Sequence, residues 1–281
     1  MTRKGLILEG GAMRGLFSAG VMDVMMQNGI EFDGAVGVSA GAAFGCNYKS
    51  KQIGRAIRYN TQNSRNPRYS SLRSLLTSGD LFNAEFCYHT LPRTLDRFDV
   101  EAFRANPMEF YVVCTDVHTG EPVYHRLETA DDTEMEWIRA SASMPVVSKV
   151  VEVDGYSLLD GGIADSIPVR WFESIGYSHN VAVLTRPLEY LKEPASPVLL
   201  SMMKKYPKMA EAMKHRHEVY NETLEYIMEK EKNGDLFVIR PSAPLPIGRI
   251  EHSVAKLQET YSLGREAMEA QLEDLKAYLA R

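Results

Sequence analysis

An α/β fold built on a parallel sheet is what this sequence predicts, and three observations carry the prediction. Within residues 1–45, two short apolar runs each lead through a glycine-containing turn into a stretch of helical character, the alternation that builds parallel strands joined by right-handed crossovers. The chain has 281 residues, 44% hydrophobic and 25% charged, ordinary globular values at a length that buries a sizeable core. Third, the pentapeptide Gly37-Val38-Ser39-Ala40-Gly41 directly follows the second apolar run. A Gly-x-Ser-x-Gly sequence there suits a tight strand-to-helix turn, because small flanking residues let the backbone bend and leave the serine hydroxyl exposed.

The elements follow in order. Gly5 to Glu9 reads as a strand buried on both faces. After the turn at residues 10–15, Leu16, Phe17, Val21, Val24 and Met25 recur at helical spacing until Asn28-Gly29 supplies a stop. Ala35 to Val38 is the second strand, and Ala40 to Ala43 opens a close-packed helix. Residues 51–106 are less regular, with amphipathic pieces at Ile53 to Tyr59 and Leu72 to Leu76 that predict helices over one side of the sheet. Phe110 to Thr115 and Pro122 to His125 read as strands joined through Thr119-Gly120. Val150 to Val153 and Tyr156 to Leu159 flank Asp154-Gly155, a strong hairpin signal. A helix is expected from Pro168 to Ile175, ended by Gly176, with proline in its first turn. Val181 to Leu184 and Leu236 to Ile239 complete the strands, and the tail from Glu251 is mostly helical.

Composition excludes several function classes. A net charge of −5 lacks the basic excess of a general nucleic-acid binder. Cys46, Cys87 and Cys114 are odd in number and show no metal-ligand spacing, which predicts reduced thiols in a cytosol-like compartment, with no metal and no cofactor. The positive start at Arg3-Lys4 is followed by an apolar run, Leu6-Ile7-Leu8, that Glu9 cuts off, too short for a signal-peptide core. No stretch approaches the ~18 apolar residues of a membrane span.

Three places can carry chemistry. Gly10-Gly11-Ala12-Met13-Arg14-Gly15 lies between a buried strand and a helix start, so its free amides and the helix dipole face any anion there. Ala12 occupies the middle position of the dinucleotide fingerprint, and no Gly-Lys-Ser/Thr ending is present, which excludes a P-loop. The turn is then either an oxyanion hole or simply a tight turn. Ser39 is either a nucleophile helped by the dipole of the helix that follows, or a helix cap. Its base would ordinarily be a histidine. Of the seven, His252 is the candidate, because it follows the last strand, where an α/β-hydrolase places its base. Asp160, ahead of Gly161-Gly162, is either a carboxylate presented from a turn or a turn former. A bare aspartate, with a pKa near about 3.9, is a poor base at neutral pH. Proton transfer to it would rely on the oxyanion site, the helix dipole and exclusion of water.

Taken together, the glycine turn, Gly37 to Gly41 and Asp160-Gly161-Gly162 resemble the patatin-like phospholipase family. The likeness extends to Gly41-Ala42, to Thr115-Asp116 with Thr119-Gly120, to Ala140-Ser141 before Met144-Pro145, and to Asp154-Gly155, over roughly residues 5–190. The resemblance implies a three-layer α/β/α fold with a central, mostly parallel sheet, forming one domain over residues 1–281. The motif-bearing core would span about 5–190, and the strand and helices of 191–281 would complete it. It also implies a Ser-Asp dyad working without histidine. Ser39 would be acylated by a lipid ester, Asp160 would take its proton and later activate water, and Gly10, Gly11 and Ala12 would donate to the oxyanion. Arg14 would hold the loop or meet an anionic head group, with Gly15, Gly37, Gly41, Gly161 and Gly162 as motif support. Two departures stand out: Ala12 replaces the usual third glycine, and Ser166 stands where asparagine is common.

Residues 196–217 set Leu199, Leu200, Met202, Met203, Met209 and Met213 among Lys204, Lys205, Lys208, Lys214 and Arg216, with Glu211 the one acid. Methionines suit variable acyl chains and bases suit anionic head groups. The segment is therefore expected to be a lid or an interfacial helix making peripheral membrane contact, or else an ordinary helix with its apolar face on the core. The leading expectation is a lipid acyl hydrolase with no nucleic-acid partner. The alternatives are a Ser-His-Asp esterase using His252 and a catalytically silent lipid-binding module of the same fold.

Overall fold

The computed structural model describes residues 2–281. In chain order it runs β1 (Arg3–Leu8), α1 (Gly15–Gln27), β2 (Gly34–Val38), α2 (Ala40–Lys49), α3 (Arg55–Asn63), α4 (Leu72–Ser78), α5 (Val100–Ala105), β3 (Glu109–Asp116), β4 (Pro122–Leu127) and α6 (Asp132–Ser141). It continues with β5 (Val151–Val153), β6 (Tyr156–Asp160), α7 (Val169–Ser174), β7 (Tyr177–Val183), α8 (Pro197–Met202), α9 (Pro207–Asn233), β8 (Leu236–Ile239), α10 (Val254–Ala270) and α11 (Leu272–Leu279). A π-helical stretch, Phe86–Leu95, precedes α5.

One sheet holds the eight strands in the order β5-β6-β3-β2-β1-β7-β8, with β4 also on β3. β1, β2, β3, β7 and β8 run parallel, whereas β4 and β6 pair antiparallel with β3, and β5 antiparallel with β6, so the expected mostly parallel sheet is what forms. Each central strand buries both faces, because alternate side chains point to opposite layers. Leu6 and Leu8 of β1 pack with α1, α2, α6, α10 and α11 on one side. Ile7, with Val36 and Val38 of β2, packs with α7 and α9 on the other. That is the three-layer α/β/α arrangement, and β8 adds residues beyond 190 to the same sheet.

The hairpin expected at Asp154-Gly155 joins β5 to β6 with positive φ at both residues, 49° and 81°, the backbone that a two-residue type I′ loop requires. Pro168 is the N-cap of α7 rather than part of its first turn, a shift of the size that helix ends normally show. β7 begins four residues before the apolar run at Val181, since Tyr177 to Asn180 reads as polar yet pairs with β1 from Arg3 onward. The largest difference is α9. Buried Met209, Met213, Tyr220, Leu224 and Ile227 form a sparse stripe on a 27-residue helix that Gly234 ends at φ 77°.

Within 196–217, Met203, Met209 and Met213 are buried against Val117, Leu159 and Ile163. Of the two readings of this segment, these three methionines follow the one with an apolar face on the core, filling a small cluster beneath the end of β6. Val198 and Met202 stay exposed.

Candidate active site

β1 and β2 are neighbours in the sheet, so the turns at their C-terminal ends lie side by side, the usual place for a site in an open α/β sheet. Ser39 sits between β2 and α2 with φ 56° and ψ −118°, a conformation that costs about 1–3 kcal/mol and is held only where the surroundings over-determine it. The flanking glycines supply the room. A Cβ on Gly37 would lie 2.4 Å from the Gly41 carbonyl oxygen, and one on Gly41 would lie 2.3 Å from that of Leu8. The Ser39 amide donates to Ser141 Oγ at 2.9 Å, and that hydroxyl in turn donates to the Val113 carbonyl at 2.6 Å. Position and strain are thereby locked from β3 and α6.

The Ser39 hydroxyl does not cap α2. It donates to Asp160 Oδ2 at 2.7 Å across 121 residues of sequence. Asp160, at the end of β6, is fixed at every polar atom. Its amide donates to the Ser143 carbonyl, its carbonyl accepts from Thr115 Oγ1 at 2.9 Å, and its Oδ1 accepts from the Gly162 amide at 2.8 Å. Burial pushes its carboxyl above the usual aspartate range, opposed by the Ser39 hydroxyl, the Arg216 guanidinium and the Gly162 amide. The turn-former alternative accounts for the Gly162 contact only.

The turn after β1 comes to the same point. An added Cβ on Gly10 would lie 3.0 Å from Ser39 Cβ. Among the described residues, the amides of Gly10, Gly11 and Ala12 donate to no protein acceptor, whereas Met13 and Arg14 donate to Arg249 and Gly11 carbonyls. Three amides beside a hydroxyl can receive charge that develops on a carbonyl oxygen. Gly15 opens α1 against Ala40 at the start of α2, and Gly161 opens a short 3-10 turn after Asp160. Ala12 holds φ 49° where a glycine would be unstrained. Ala12→Gly is therefore expected to be neutral to stabilising by up to about 1 kcal/mol, read as the urea midpoint, with hydrolysis retained because the amide remains. Ser166, the other departure, donates to the Gly162 carbonyl at 2.8 Å and receives a long 3.5 Å contact from Arg216.

Beside Ser39 opens a cavity of about 110 Å³, lined mostly by apolar side chains such as Phe44, Tyr59, Tyr69, Leu91 and Ile138. It is built from α2, α3, α6 and the π-helical stretch; residues 196–217 do not contribute to it, and neither does a histidine. His252 is turned elsewhere: its Nδ1 meets the Ser64 carbonyl at 2.6 Å. Among the described residues no cluster of His, Cys, Asp and Glu could hold a metal ion, and no helix is long and apolar enough to cross a membrane. Glu9, read only as the residue that ends an apolar run, is buried, accepting from Tyr220 Oη at 2.7 Å and from the Thr185 amide at 2.6 Å. Its low accessibility could not be read from composition, since both partners are distant in sequence.

Comparison with known proteins finds relatives over most of the chain. The chain is 27% identical to the uncharacterised protein YjjU of Escherichia coli K12 over 94% of this chain and 75% of that one. It is 26% identical to the uncharacterised NTE family protein Rv1063c of Mycobacterium tuberculosis over 64% of this chain and 48% of that one. It is 27% identical to the neuropathy target esterase sws of Drosophila melanogaster over 64% of this chain, though only 12% of that much longer protein. A domain of unknown function (DUF6363) matches residues 206–280, which include all of α9, β8, α10 and α11. The sequence profile of patatin-like phospholipases matches residues 6–172, a span that begins in β1 and ends in α7 and so contains the glycine turn, Ser39 and Asp160. That match covers more than half of the chain, and the chain therefore belongs to the patatin-like phospholipase family.

Proposed function

We propose that the protein is a serine hydrolase of lipid esters, of phospholipase A, lysophospholipase or carboxylesterase type, working through an acyl-enzyme on Ser39 with Asp160 as the base. The observation that carries this reading is the 2.7 Å hydrogen bond from Ser39 to Asp160 beside an apolar cavity. In the first half-reaction Ser39 Oγ attacks the ester carbonyl while its proton passes to Asp160 Oδ2. The carbonyl oxygen, now an oxyanion, meets the Gly10, Gly11 and Ala12 amides. The C–O bond then breaks and the alcohol leaves with the proton from Asp160. In the second half-reaction water attacks the acyl carbon and gives its proton to Asp160; the bond from Ser39 Oγ to the acyl carbon then breaks, Asp160 returns the proton to Ser39 Oγ, and the carboxylic acid leaves. Burial of Asp160 makes it a stronger base than an exposed aspartate. The apolar cavity suits an acyl chain, and exposed Val198 and Met202 among the lysines of 196–217 suit contact with a membrane surface.

Treatment with a fluorophosphonate is expected to modify Ser39 alone, identified by mass spectrometry of the labelled peptide. A folded sample with Ser39 unmodified would instead favour the catalytically silent lipid-binding module.

A further inference from the structure

Beside the oxyanion turn lies a buried carboxyl group that the proposed chemistry does not use. Glu9 immediately precedes Gly10, and its contacts run to residues far along the chain. Its Oε1 accepts from Tyr220 Oη on α9 at 2.7 Å, and its Oε2 accepts from the Thr185 amide at 2.6 Å. Thr185 Oγ1 lies 3.1 Å from Glu9 Oε2 and 3.2 Å from the Gly10 carbonyl oxygen, so its single proton is shared between two acceptors. Burying a carboxyl group is costly unless donors meet it, and an apolar residue of similar size would avoid that cost. The contact with Gly10 gives Glu9 and Thr185 a task beyond stability.

That task follows from the geometry of one peptide. In a trans peptide the carbonyl and the amide that follows it share a plane and point in opposite directions, and the Gly10–Gly11 bond is trans. β1 lies between β2 and β7 in the sheet; Thr185 follows β7, and Ser39 follows β2. A Gly10 carbonyl held toward Thr185 therefore turns the Gly11 N–H away from β7, to the side on which Ser39 stands. The next peptide is held by the turn itself, because the Arg14 amide donates to the Gly11 carbonyl at 3.1 Å. Flanked by two glycines, the Gly10–Gly11 peptide would otherwise rotate readily. Among the described residues, the Thr185 hydroxyl is the group that bonds its carbonyl. It also packs against the turn, since a Cβ on Gly11 would lie 2.8 Å from Thr185 Oγ1. The chain beyond Thr185 returns to α9: the Lys192 amide donates to Asn221 Oδ1 at 2.9 Å, and Asn221 Nδ2 donates to the Lys192 carbonyl at 3.2 Å.

We propose that Thr185, Glu9 and Tyr220 are positioning residues that brace the oxyanion turn: Thr185 aims the Gly11 amide at the oxyanion, and Glu9 ties Thr185 to α9 through Tyr220. This rests on the hydrolase reading above. Thr185 and Tyr220 lie beyond residues 6–172, the span matched by the phospholipase profile, and Tyr220 falls within the domain of unknown function at 206–280. The C-terminal region thus serves the active site as well as completing the sheet.

The test uses the full-length protein and a soluble short-chain ester. Thr185→Val keeps the shape of the side chain and removes the hydroxyl, whereas Thr185→Ser keeps the hydroxyl. Outright loss of one oxyanion donor lowers kcat by about 10²–10³-fold, so a donor left unaimed is expected to lower it by about tenfold or more. KM should stay within about threefold of the wild type, because the interaction lost is made only in the transition state. Thr185→Ser should recover most of the rate. An alkyl boronic acid, which forms a tetrahedral anion on Ser39, should lose affinity for Thr185→Val by the same factor as kcat. An ether of the same chain length, which forms no oxyanion, should bind the wild type and both variants alike. Tyr220→Phe removes only the donor to Glu9 and carries the test if Thr185→Val fails to fold. It should lower kcat severalfold, and the double variant should lose less than the product of the two single losses, since both act on one peptide. An unchanged kcat in Thr185→Val, a loss confined to KM, or a serine variant as slow as the valine one overturns the proposal and leaves the hydrolase intact. Losses that multiply, or Tyr220→Phe at the wild-type kcat, separate α9 from the turn and overturn the brace. A wild type that cleaves no ester removes the hydrolase reading, and the brace with it.

Discussion

Ser39→Ala is expected to lower kcat/KM for ester hydrolysis by about 10⁴-fold or more, measured with a soluble short-chain ester and confirmed by loss of fluorophosphonate labelling. The change removes one oxygen and nothing that shapes the turn. The hydroxyl does not cap α2, and the Ser39 carbonyl keeps its bonds from Ala42 and Ala43. What it does remove is the hydrogen-bond donor to Asp160 Oδ2. A buried acceptor left without its partner costs about 1–3 kcal/mol, so the alanine variant should also unfold at lower urea than the wild type. Ser39→Gly separates the two effects. It is equally inactive, but glycine relieves the positive φ of 56° at this position, and it should recover part of that stability. A glycine variant as unstable as the alanine one would mean that the turn is not strained. Residual hydrolysis within tenfold of the wild type in either would remove Ser39 from the chemistry.

What the sequence disclosed was local. A strand ending in glycines, a serine between small residues and an Asp-Gly turn are short-range patterns, and β1, β2, α1, α2 and the β5–β6 hairpin formed where those patterns lie. The proximity of Ser39 and Asp160 was legible only through resemblance, because nothing in either segment encodes a contact across 121 residues. Other contributors were hidden for the same reason. Ser141 holds the Ser39 amide from α6, and Tyr220 reaches Glu9 from α9, 211 residues away. Periodicity failed for α9, where five buried side chains on 27 residues are too thin a stripe to mark a face. The methionines of 196–217 left two readings open, since a flexible apolar side chain suits a small core as well as it suits an acyl chain. Arg216 was counted with its neighbours as one more surface base, although its place on the helix turns it inward to Asp160 while Lys204, Lys205, Lys208 and Lys214 face solvent.

Asp160→Asn separates the dyad from a histidine-based mechanism and carries the second large effect. Asparagine keeps an oxygen for the Gly162 amide but cannot take the Ser39 proton, so hydrolysis is expected to fall by about 10³-fold or more. His252→Ala should leave the rate near that of the wild type, because His252 is bonded to the Ser64 carbonyl. If His252→Ala instead costs as much as Asp160→Asn, the Ser-His-Asp esterase is the better account. The pH dependence has a definite sign. The base must be ionised, so the rate of the wild type falls as pH drops through the Asp160 pKa, which burial places above that of an ordinary aspartate. The acid limb should therefore lie above the ~3.9 of an exposed carboxyl. Stability runs the other way. With the folded pKa above the unfolded one, ionised Asp160 disfavours the folded state at every pH above its folded pKa, and that penalty is gone below the unfolded value of about 3.9. Asp160→Asn should consequently be more stable than the wild type at neutral pH, and the two urea midpoints should converge as the pH is lowered across that window. A wild type more stable than Asp160→Asn at pH 7 would show that the hydrogen bonds from Ser39 and Gly162 outweigh the burial of the charge. In that case the carboxylate would have to be placed below the ordinary range, and it would be a weaker base than the proposed mechanism needs.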